Sequence, residues 1–419
     1  MTDIFTNIIN EELIVASGCT EPIAIALASA KCCDVLGQFP DSIIINVSGN
    51  IIKNVQGVII PGTKKLRGVE LSAILGALVG DPKKQLEILK DLSTSQIEKA
   101  IDLNEKKICT INHKKSNVKL YIEVIMKSGD NEASVEVMHV HTNITKIVKN
   151  GERISYNPCS EDDFNSSLTD RTKLSIEGIV DYANTVDISI IEPIFNRQVD
   201  YNLKIAKQGF NYDYGLNAGR SLLKNANGSI KEKMKAYAAS GSDARMSGCD
   251  LPVVINSGSG NQGLTICAPI YVYAKDMEIS NERLYRALAV ANLIAIHIKT
   301  RIGRLSAFCG AITAGIGVGC GIAYLNNASI ETIEGTIKNG ISDLSGVICD
   351  GAKPSCAIKI ASAVDAGVMS YQLASENKVV ETGTGIINKS AEETIKNIAS
   401  IASDAMVETD ELILSIMTK

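Results

Sequence analysis

The chain has 419 residues, 45% of them hydrophobic and 4% aromatic, with no tryptophan and a net charge of −5. The length predicts two or three domains at about 100–200 residues each. The small negative charge and the scarcity of aromatic residues argue against a nucleic-acid partner. The N-terminus has no basic and apolar leader, so we expect a cytoplasmic protein whose eleven cysteines are metal ligands, catalytic groups or core residues rather than disulfides.

The N-terminal part predicts a helix followed by short strands. Residues 22–36 are predicted to form a helix, with Pro22 in its first turn and Gly37 just past its end. Residues 42–62, in which apolar pairs are broken by Gly and Asn, predict two or three short strands.

The middle of the chain predicts helices and then a sheet. Helices are expected over 68–80 and 82–92. From 107 to 153 apolar and polar residues alternate, with turn signals at Ser-Gly-Asp-Asn and Lys-Asn-Gly. This pattern predicts an antiparallel meander, and the polar segment 157–167 predicts a connector.

The remainder predicts a helical domain. Residues 173–209, 216–240 and almost all of 280–419 have helical patterns. Residues 306–325 carry no charge and are long enough to cross a bilayer, yet five of them are glycine and no aromatic belt flanks them. We therefore expect a buried helix that packs closely through small residues, in a protein without a membrane span.

Together these elements predict an α+β fold with a mostly helical domain and a smaller domain that contains an antiparallel sheet. The expected boundaries are an N-terminal segment 1–80 shared with the catalytic domain, a small α+β domain 81–210 and a helical catalytic domain 211–419.

A glycine-rich loop follows the apolar run 251–255. Gly258, Gly260 and Gly263 satisfy GxGxxG, but helical sequence rather than a βαβ unit follows and Pro269 interrupts it, which disfavours a dinucleotide site. The backbone N–H groups and five polar side chains of the loop could hold a small carboxylate, and a turn without a ligand is an equal alternative. These side chains are Asn256, Ser257, Ser259, Asn261 and Gln262.

Cys19 lies where the first helix is predicted to begin. With Thr20 or Glu21 as the cap, Cys19 would lie at the positive end of the helix dipole, where the pKa of a thiol falls from ~8.5 toward about 7. This position predicts a reactive thiol beside Ser17 and Thr20, with a core cysteine as the alternative. Cys32 and Cys33 lie inside the helix and are expected in the core.

Two histidines, His139 and His141, stand two residues apart, so in a strand they would share one face. Such a pair can bind a metal, but no third ligand is evident and an exposed strand face is the favoured interpretation.

The segment ICDGAKPSC, residues 348–356, places Cys349 and Cys356 on either side of a turn. This spacing is neither that of a zinc ribbon nor that of a ferredoxin run, so the pair needs a partner elsewhere. The candidates are Cys267, Cys309 and Cys320. Thiolates select zinc or iron–sulfur clusters, and three of them leave one iron of a cubane open.

Four short motifs carry a family resemblance: ASGCTEP at 16–22, GSGNQG at 258–263, GRLSAFCG at 303–310 and CDGAKPSCAIK at 349–359. In this order they resemble the family of iron–sulfur L-cysteine desulfidases, which is related to the α-chain domain of bacterial iron–sulfur L-serine dehydratases. The likeness runs from Cys19 to about Lys359.

The resemblance implies a [4Fe-4S] cluster held by Cys309, Cys349 and Cys356. The interval of 40 residues between the first two matches the family. The turn before Cys356 is shorter than in the dehydratases, and Gly-Ala-Lys replaces Pro-Val-Ala. The chain ends in LILSIMTK instead of the cysteine that caps the fourth iron in some dehydratases, so the open iron is expected to take substrate or solvent.

The implied activity is elimination of sulfide from L-cysteine to give pyruvate, ammonia and hydrogen sulfide. Cys19 is the expected general base, and Ser17, Thr20 and the 256–262 loop are the expected substrate contacts. Arg245 and Lys353 are secondary candidates, with surface charge as the favoured interpretation. The alternatives are an L-serine dehydratase, a non-catalytic iron–sulfur redox sensor and a structural zinc site. We expect a small amino acid as substrate and a homo-oligomer, a dimer, as the assembly.

Overall fold

The computed structural model describes residues 3–418 and forms an α+β fold, as predicted. Within this range the strands are β1 Val15–Ser17, β2 Ser42–Val47, β3 Cys109–His113, β4 Tyr121–Ser128, β5 Asn131–Met138, β6 Ile144–Lys149, β7 Glu152–Tyr156 and β8 Pro252–Val254. The helices are α1 Ile4–Glu12, α2 Thr20–Leu36, α3 Gly49–Gln56, α4 Val69–Val79, α5 Thr94–Glu105, α6 Ile176–Thr185, α7 Ile188–Asn211, α8 Ala218–Lys224, α9 Ile230–Met246, α10 Gly260–Asp276, α11 Asn281–Thr300, α12 Gly310–Leu325, α13 Ile330–Leu344, α14 Cys356–Ser375, α15 Ala391–Ser400 and α16 Val407–Met417.

The larger sheet has the strand order β3-β2-β4-β5-β6-β7. The predicted antiparallel meander is confirmed for β4 to β7, which pair in sequence order. It is wrong for β3, because β2 inserts between β3 and β4 and pairs with β3 in parallel. The inward residues of β2 (Ile43, Ile45 and Val47) are buried in the period-two pattern of a half-covered strand.

The segment 42–62 contains one strand and not the predicted two or three. After β2 the chain turns at Ser48 into helix α3. Ile51 and Val55 lie four residues apart, so they share one helix face, and both are buried. This spacing is typical of a helix. The short apolar pairs of the segment resemble those of strands, which is why the sequence predicted strands here.

The predicted helix over 82–92 is also wrong beyond its first turn. Residues Pro82–Glu87 form a 3-10 turn, and the left-handed backbone of Gln85 (φ 48°) interrupts it. The predicted helices over 22–36 and 68–80 are confirmed as α2 and α4. Gly37 ends α2 in the left-handed conformation (φ 87°) that glycine adopts without strain.

The interior consists of two hydrophobic cores. One lies between the larger sheet and helices α2 and α4. The other is formed by helices alone, with α12 packed against α10, α11, α13 and α14. The predicted buried helix in the uncharged segment 306–325 is confirmed for Gly310–Leu325, whereas residues 306–309 precede the helix. None of the helices in the described range combines the length and hydropathy needed to cross a membrane.

The two cores meet along a short ribbon in which β1 pairs antiparallel with β8, Val15 opposite Val254. This ribbon places the first turn of α2, which belongs to the sheet core, beside the first turn of α10, which belongs to the helical core.

Candidate active site

A cavity of about 100 Å³ lies where four helices begin. Cys19 is the N-cap of α2, Ser259 that of α10 and Cys309 that of α12, while Cys356 is the first residue of α14. All four line the cavity. Helix N-termini carry partial positive charge and unpaired N–H groups, so their convergence favours an anionic occupant.

A short antiparallel bridge brings two of the predicted ligand cysteines together. Phe308 pairs with Ile348. The N–H of Cys349 donates to the carbonyl of Ala307 (2.6 Å), and that of Cys309 donates to Val347 (3.2 Å). Helix α14 then begins directly at Cys356. Cys309, Cys349 and Cys356 thus line one cavity although they come from separate segments.

An ion pair from another part of the chain holds this bridge. Lys53 on α3 is buried, donates to the carbonyl of Cys349 (3.2 Å) and pairs with Asp410 on α16. Asp410 also accepts from the N–H of Ala307 (2.9 Å). One carboxylate therefore ties both cysteine-bearing segments to α3 and α16.

Two of the three thiols, those of Cys309 and Cys356, have raised pKa values. Burial, and then the neighbouring Cys349, raise the pKa of Cys309 to about 12, and burial likewise raises the pKa of Cys356. Thiols of this kind ionise when a metal displaces the proton. Among residues 3–418 no three His, Cys, Asp or Glu side chains are close enough to share one metal ion.

Positive side chains surround these thiols. Lys299 is buried in the cavity wall, and burial lowers the pKa of its ammonium to about 8, against the opposing influence of Cys349 and Cys309. Lys359 lines the cavity too and donates to Asp350 (2.6 Å). These cations would offset the negative charge of a thiolate-bound cluster.

Cys19 lines the same cavity and is buried, with Sγ 2.9 Å from Oε2 of Glu21. The expected fall in the pKa of this thiol is wrong: burial, and then the Glu21 carboxylate, raise the pKa of Cys19 well above its ordinary value. The predicted cap is wrong as well, because Cys19 and not Thr20 or Glu21 holds the N-cap position. Burial of the sulfur and the neighbouring carboxylate outweigh the effect of the helix dipole.

Glu21 remains a carboxylate in this setting. Although burial alone would raise its pKa, His141 and the thiol of Cys19 bring the pKa of Glu21 to about 2. Its Oε1 accepts from Asn54 (3.1 Å) and lies 3.7 Å from Nε2 of His141.

The glycine-rich loop places some of its predicted side chains in the cavity and not others. Ser257 and Gly258 both have left-handed backbone, φ 48° and 80°, so the loop makes the tight turn of a β-hairpin before α10. Ser259, Asn261 and Gln262 line the cavity, as does Thr20, which donates to the carbonyl of Gly258 (2.8 Å).

Three expected substrate contacts lie outside the walls of this cavity. Asn256 donates to Asn292 (2.9 Å), Ser257 donates to Asn256 (2.9 Å), and Ser17 is buried in β1. Their position gives the first two a role in shaping the turn.

Arg245 lines the cavity, and its expected placement as surface charge is wrong. The side chain is 3% exposed, and its Nε has no hydrogen-bond partner among the described residues. Gly260 makes room for it, since a Cβ there would lie 2.4 Å from Nε. Lys353, the other secondary candidate, is outside the cavity walls and forms a partly exposed pair with Asp350.

The histidine pair does not lie on an exposed strand face, so that interpretation is wrong. Both residues follow the end of β5 and both are buried. His139 Nε2 lies 2.7 Å from the carbonyl of Ser160, and His141 faces Glu21. The left-handed backbone of His139 (φ 63°) turns the two side chains apart.

Sequence reasoning missed Asn54, Lys299 and Lys359 and treated Glu21 only as a cap. Glu21 stands inside the GCTEP motif and Lys359 ends the CDGAKPSCAIK motif, which were usable signals, whereas nothing in the local pattern marks Asn54 or Lys299. Cys267 and Cys320, the other candidate ligands, are buried in the helical core away from this cavity.

Residues 83–415 match the family model of the serine dehydratase alpha chain. The chain belongs to the serine dehydratase alpha chain family. The family resemblance predicted from the four motifs is thereby confirmed.

Members with the name UPF0597 protein are similar to it over nearly their whole length. One from Lachnoclostridium phytofermentans is 45% identical over 98% of both chains, and one from Fusobacterium nucleatum is 44% identical over 98% of both. One from Porphyromonas gingivalis is 37% identical over 98% of this chain and 97% of its own.

Proposed function

We propose that the protein is a lyase that eliminates sulfide from L-cysteine, with pyruvate and ammonia as the other products. The observation that carries the proposal is one cavity lined both by three thiols and by a buried arginine whose Nε has no hydrogen-bond partner among the described residues. Membership of the serine dehydratase alpha chain family supports an elimination reaction on a small amino acid.

Cys309, Cys349 and Cys356 would hold a [4Fe-4S] cluster, which the family resemblance implies. When bound, the cluster supplies an open iron that acts as a Lewis acid on the leaving atom. The surrounding helix N-termini and the ammonium of Lys299 favour the anionic cofactor. Soft, sulfur-ligated iron prefers a thiolate to a hydroxyl, which supports cysteine as the substrate.

Arg245 is suited to bind the α-carboxylate of the substrate. A buried guanidinium without a partner is costly, and a carboxylate can satisfy it through two parallel hydrogen bonds. The unpartnered Oδ1 of Asn261, also in the cavity wall, can accept from the α-ammonium group. Together the two groups would bind the α-carboxylate and the α-ammonium, which all amino acids share. The side chain of the substrate would then be free to approach the three thiols.

Cys19 is the group proposed to take the α-proton. It lines the same cavity as the three ligand cysteines, and Cys356 packs against the small cluster to which it belongs. The thiol must first lose its own proton, and Glu21 at 2.9 Å is the only described side chain in hydrogen-bonding distance of this sulfur.

A second candidate is dehydration of L-serine by the same residues, which the description of the matching family favours. The carboxylate and ammonium contacts would be shared, so only the leaving group differs.

Anaerobic purification, followed by iron and sulfide analysis and by assays with L-cysteine and L-serine, tests the proposal. We expect a brown protein that releases sulfide and pyruvate from L-cysteine faster than pyruvate from L-serine. The reverse preference would support the dehydratase. A cluster with no turnover of either amino acid would support a redox sensor, and zinc in place of iron would contradict the cluster.

A further inference from the structure

A chain of side-chain contacts leads from Cys19 to a histidine that the proposed mechanism does not yet use. Cys19 Sγ lies 2.9 Å from Oε2 of Glu21, and Oε1 of the same carboxylate lies 3.7 Å from Nε2 of His141. All three residues are buried. Nε2 of His141 has no hydrogen-bond partner in the part of the chain that the structure describes.

His141 lines a second cavity, of about 310 Å³, next to the first. Glu21 lines the first cavity and not the second, and His141 lines the second and not the first. The wall of the second cavity includes the exposed Ser167, so this space reaches the protein surface. The Glu21–His141 contact therefore joins the buried site to solvent.

The turn at 257–258 fixes the geometry of this contact. A Cβ at Gly258 would lie 2.9 Å from Cε1 of His141, so the ring packs directly on the turn. Thr20 donates to the carbonyl of the same glycine (2.8 Å) and so holds the start of α2 against it. Since a side chain at 258 would displace the ring, the turn positions Glu21 and His141 relative to each other.

Three charged groups face His141 from the surrounding elements. They are Glu21 of α2, Glu11 of α1 and Arg304, which follows α11. Arg304 is paired with Glu12 (2.8 Å), and Glu11 is paired with Arg171 (2.8 Å). Glu21 forms no salt bridge with a lysine or arginine in the described part of the chain, although the charge of Arg245 lowers its pKa, and it is the carboxylate in contact with the imidazole.

We propose that Glu21 and His141 form a proton relay for Cys19, with His141 as the group that exchanges protons with solvent in the second cavity. This inference rests on the proposed function. The S–H bond of Cys19 breaks, its proton passes across the Glu21 carboxylate, and an N–H bond forms on His141, which leaves a thiolate and an imidazolium. The thiolate then takes the α-proton of the substrate, the electron pair of the broken C–H bond forms the Cα–Cβ double bond as the Cβ–S bond breaks and sulfide leaves, and the imidazolium releases its proton to water. No electron is transferred, and the new thiol is deprotonated by the same route.

The charges explain why a relay is needed. A lone thiolate next to the Glu21 carboxylate is disfavoured by burial and by repulsion. An imidazolium on the far side of the same carboxylate restores charge balance, and histidine is the side chain that gains and loses a proton most readily near neutral pH.

Alkylation of Cys19 in the cluster-free protein tests the relay without turnover. Labelling by iodoacetamide would be followed by peptide mass spectrometry at neutral pH. In His141→Gln we expect about tenfold slower labelling, since Arg245 then remains as the only nearby cation among the described residues to balance Glu21 and the thiolate, and one pKa unit is tenfold. The matched control His139→Gln, whose ring contacts Ser160 instead, should label like the wild type. Equal rates in all three proteins would overturn the proposal.

A second variant separates the relay from a merely structural role. Glu21→Gln removes the negative charge that raises the pKa of Cys19, so its thiol should label faster than that of the wild type. In the cluster-loaded protein the same variant should nevertheless turn over more slowly, because the path to His141 is broken. Faster labelling together with undiminished turnover would contradict the relay.

The pH dependence of kcat/KM completes the test. His141→Gln should lose the acid limb of the profile while its iron content and melting temperature match those of His139→Gln. If the wild type eliminates nothing from any amino acid, the proposed function fails and the labelling still judges the relay. If the wild type turns over and His141→Gln behaves like it in every assay, the relay fails and the proposed function stands.

Discussion

At the scale of single residues, the buried guanidinium of Arg245 is the clearest mark of a ligand. We expect Arg245→Gln to lower kcat/KM for L-cysteine about 10–100-fold, mainly through KM, because a charge-assisted hydrogen bond contributes about 1.5–3 kcal/mol. Steady-state kinetics at matched iron content would measure this. The exposed Arg153→Gln is the control, and an unchanged KM in Arg245→Gln would remove the carboxylate assignment.

A second residue, Asp243, makes stability depend on pH. It is buried, accepts from the N–H of Gly219 (3.0 Å), and burial raises its pKa from 3.8 to about 6. The folded state therefore binds this proton more tightly than the unfolded state does. The resulting stabilisation is complete below about pH 3.8 and is lost as the pH rises through about 6.

We expect Asp243→Asn to abolish this dependence. The difference in free energy of unfolding between the variant and the wild type should change by on the order of 2 kcal/mol across that window, in favour of the variant at the higher pH. Chemical denaturation at several pH values would measure it. A difference that stays constant with pH would show that Asp243 titrates normally.

At the scale of elements, Asp410 of α16 stabilises the two segments that carry Cys309 and Cys349. Asp410→Asn leaves the ammonium of Lys53 buried without a counter-charge, and removing one partner of a buried pair costs about 3–5 kcal/mol. We expect a lower melting temperature and faster loss of iron under anaerobic dialysis. Glu411→Gln, exposed on the same helix, should show neither effect. Equal iron retention in the two variants would mean that the bridge between Phe308 and Ile348 holds without α16.

The crossing of α12 and α14 depends on a close backbone approach. A Cβ at Gly315 would lie 2.2 Å from the carbonyl oxygen of Ala363. Gly315→Ala should therefore destabilise the protein by about 1–3 kcal/mol, as overpacking does, and lower its melting temperature. Gly346→Ala is the matched control, because a Cβ added at Gly346 would have no other residue within 4 Å apart from its chain neighbours. Similar melting temperatures for both variants would show that the helices can separate at little cost.

At the scale of the whole molecule, the site joins the two hydrophobic cores. Cys19 begins a helix of the sheet core, whereas Cys309 and Cys356 begin helices of the helical core. The cluster would link segments of the helical core. An amino acid bound between Arg245 and Cys19 would also contact the first turn of α2, which belongs to the sheet core. Ligands that bind only the folded state stabilise it.

Removal of the metal should consequently destabilise the protein. We expect anaerobic chelation to lower the melting temperature of the wild type and of Cys19→Ser alike, since position 19 is not proposed as a ligand. Cys349→Ser should already melt at the lower temperature, with no further change on chelation. A chelation shift of wild-type size in Cys349→Ser would remove this residue from the proposed ligand set.

The sequence by itself determined the α+β class, the helices α2 and α4, the meander of β4 to β7 and the family. These follow from local periodicity, from caps such as Gly37 and from short motifs, all of which are written in consecutive residues. It did not determine the parallel partner of β3, the helix α3 within an apolar segment or the burial of Arg245 and His141. Nor did it determine the raised pKa of Cys19, which results from burial and then from the Glu21 carboxylate. Those features depend on which distant segments pack together, and pairing, burial and charge are properties of the assembled neighbours and not of the local pattern.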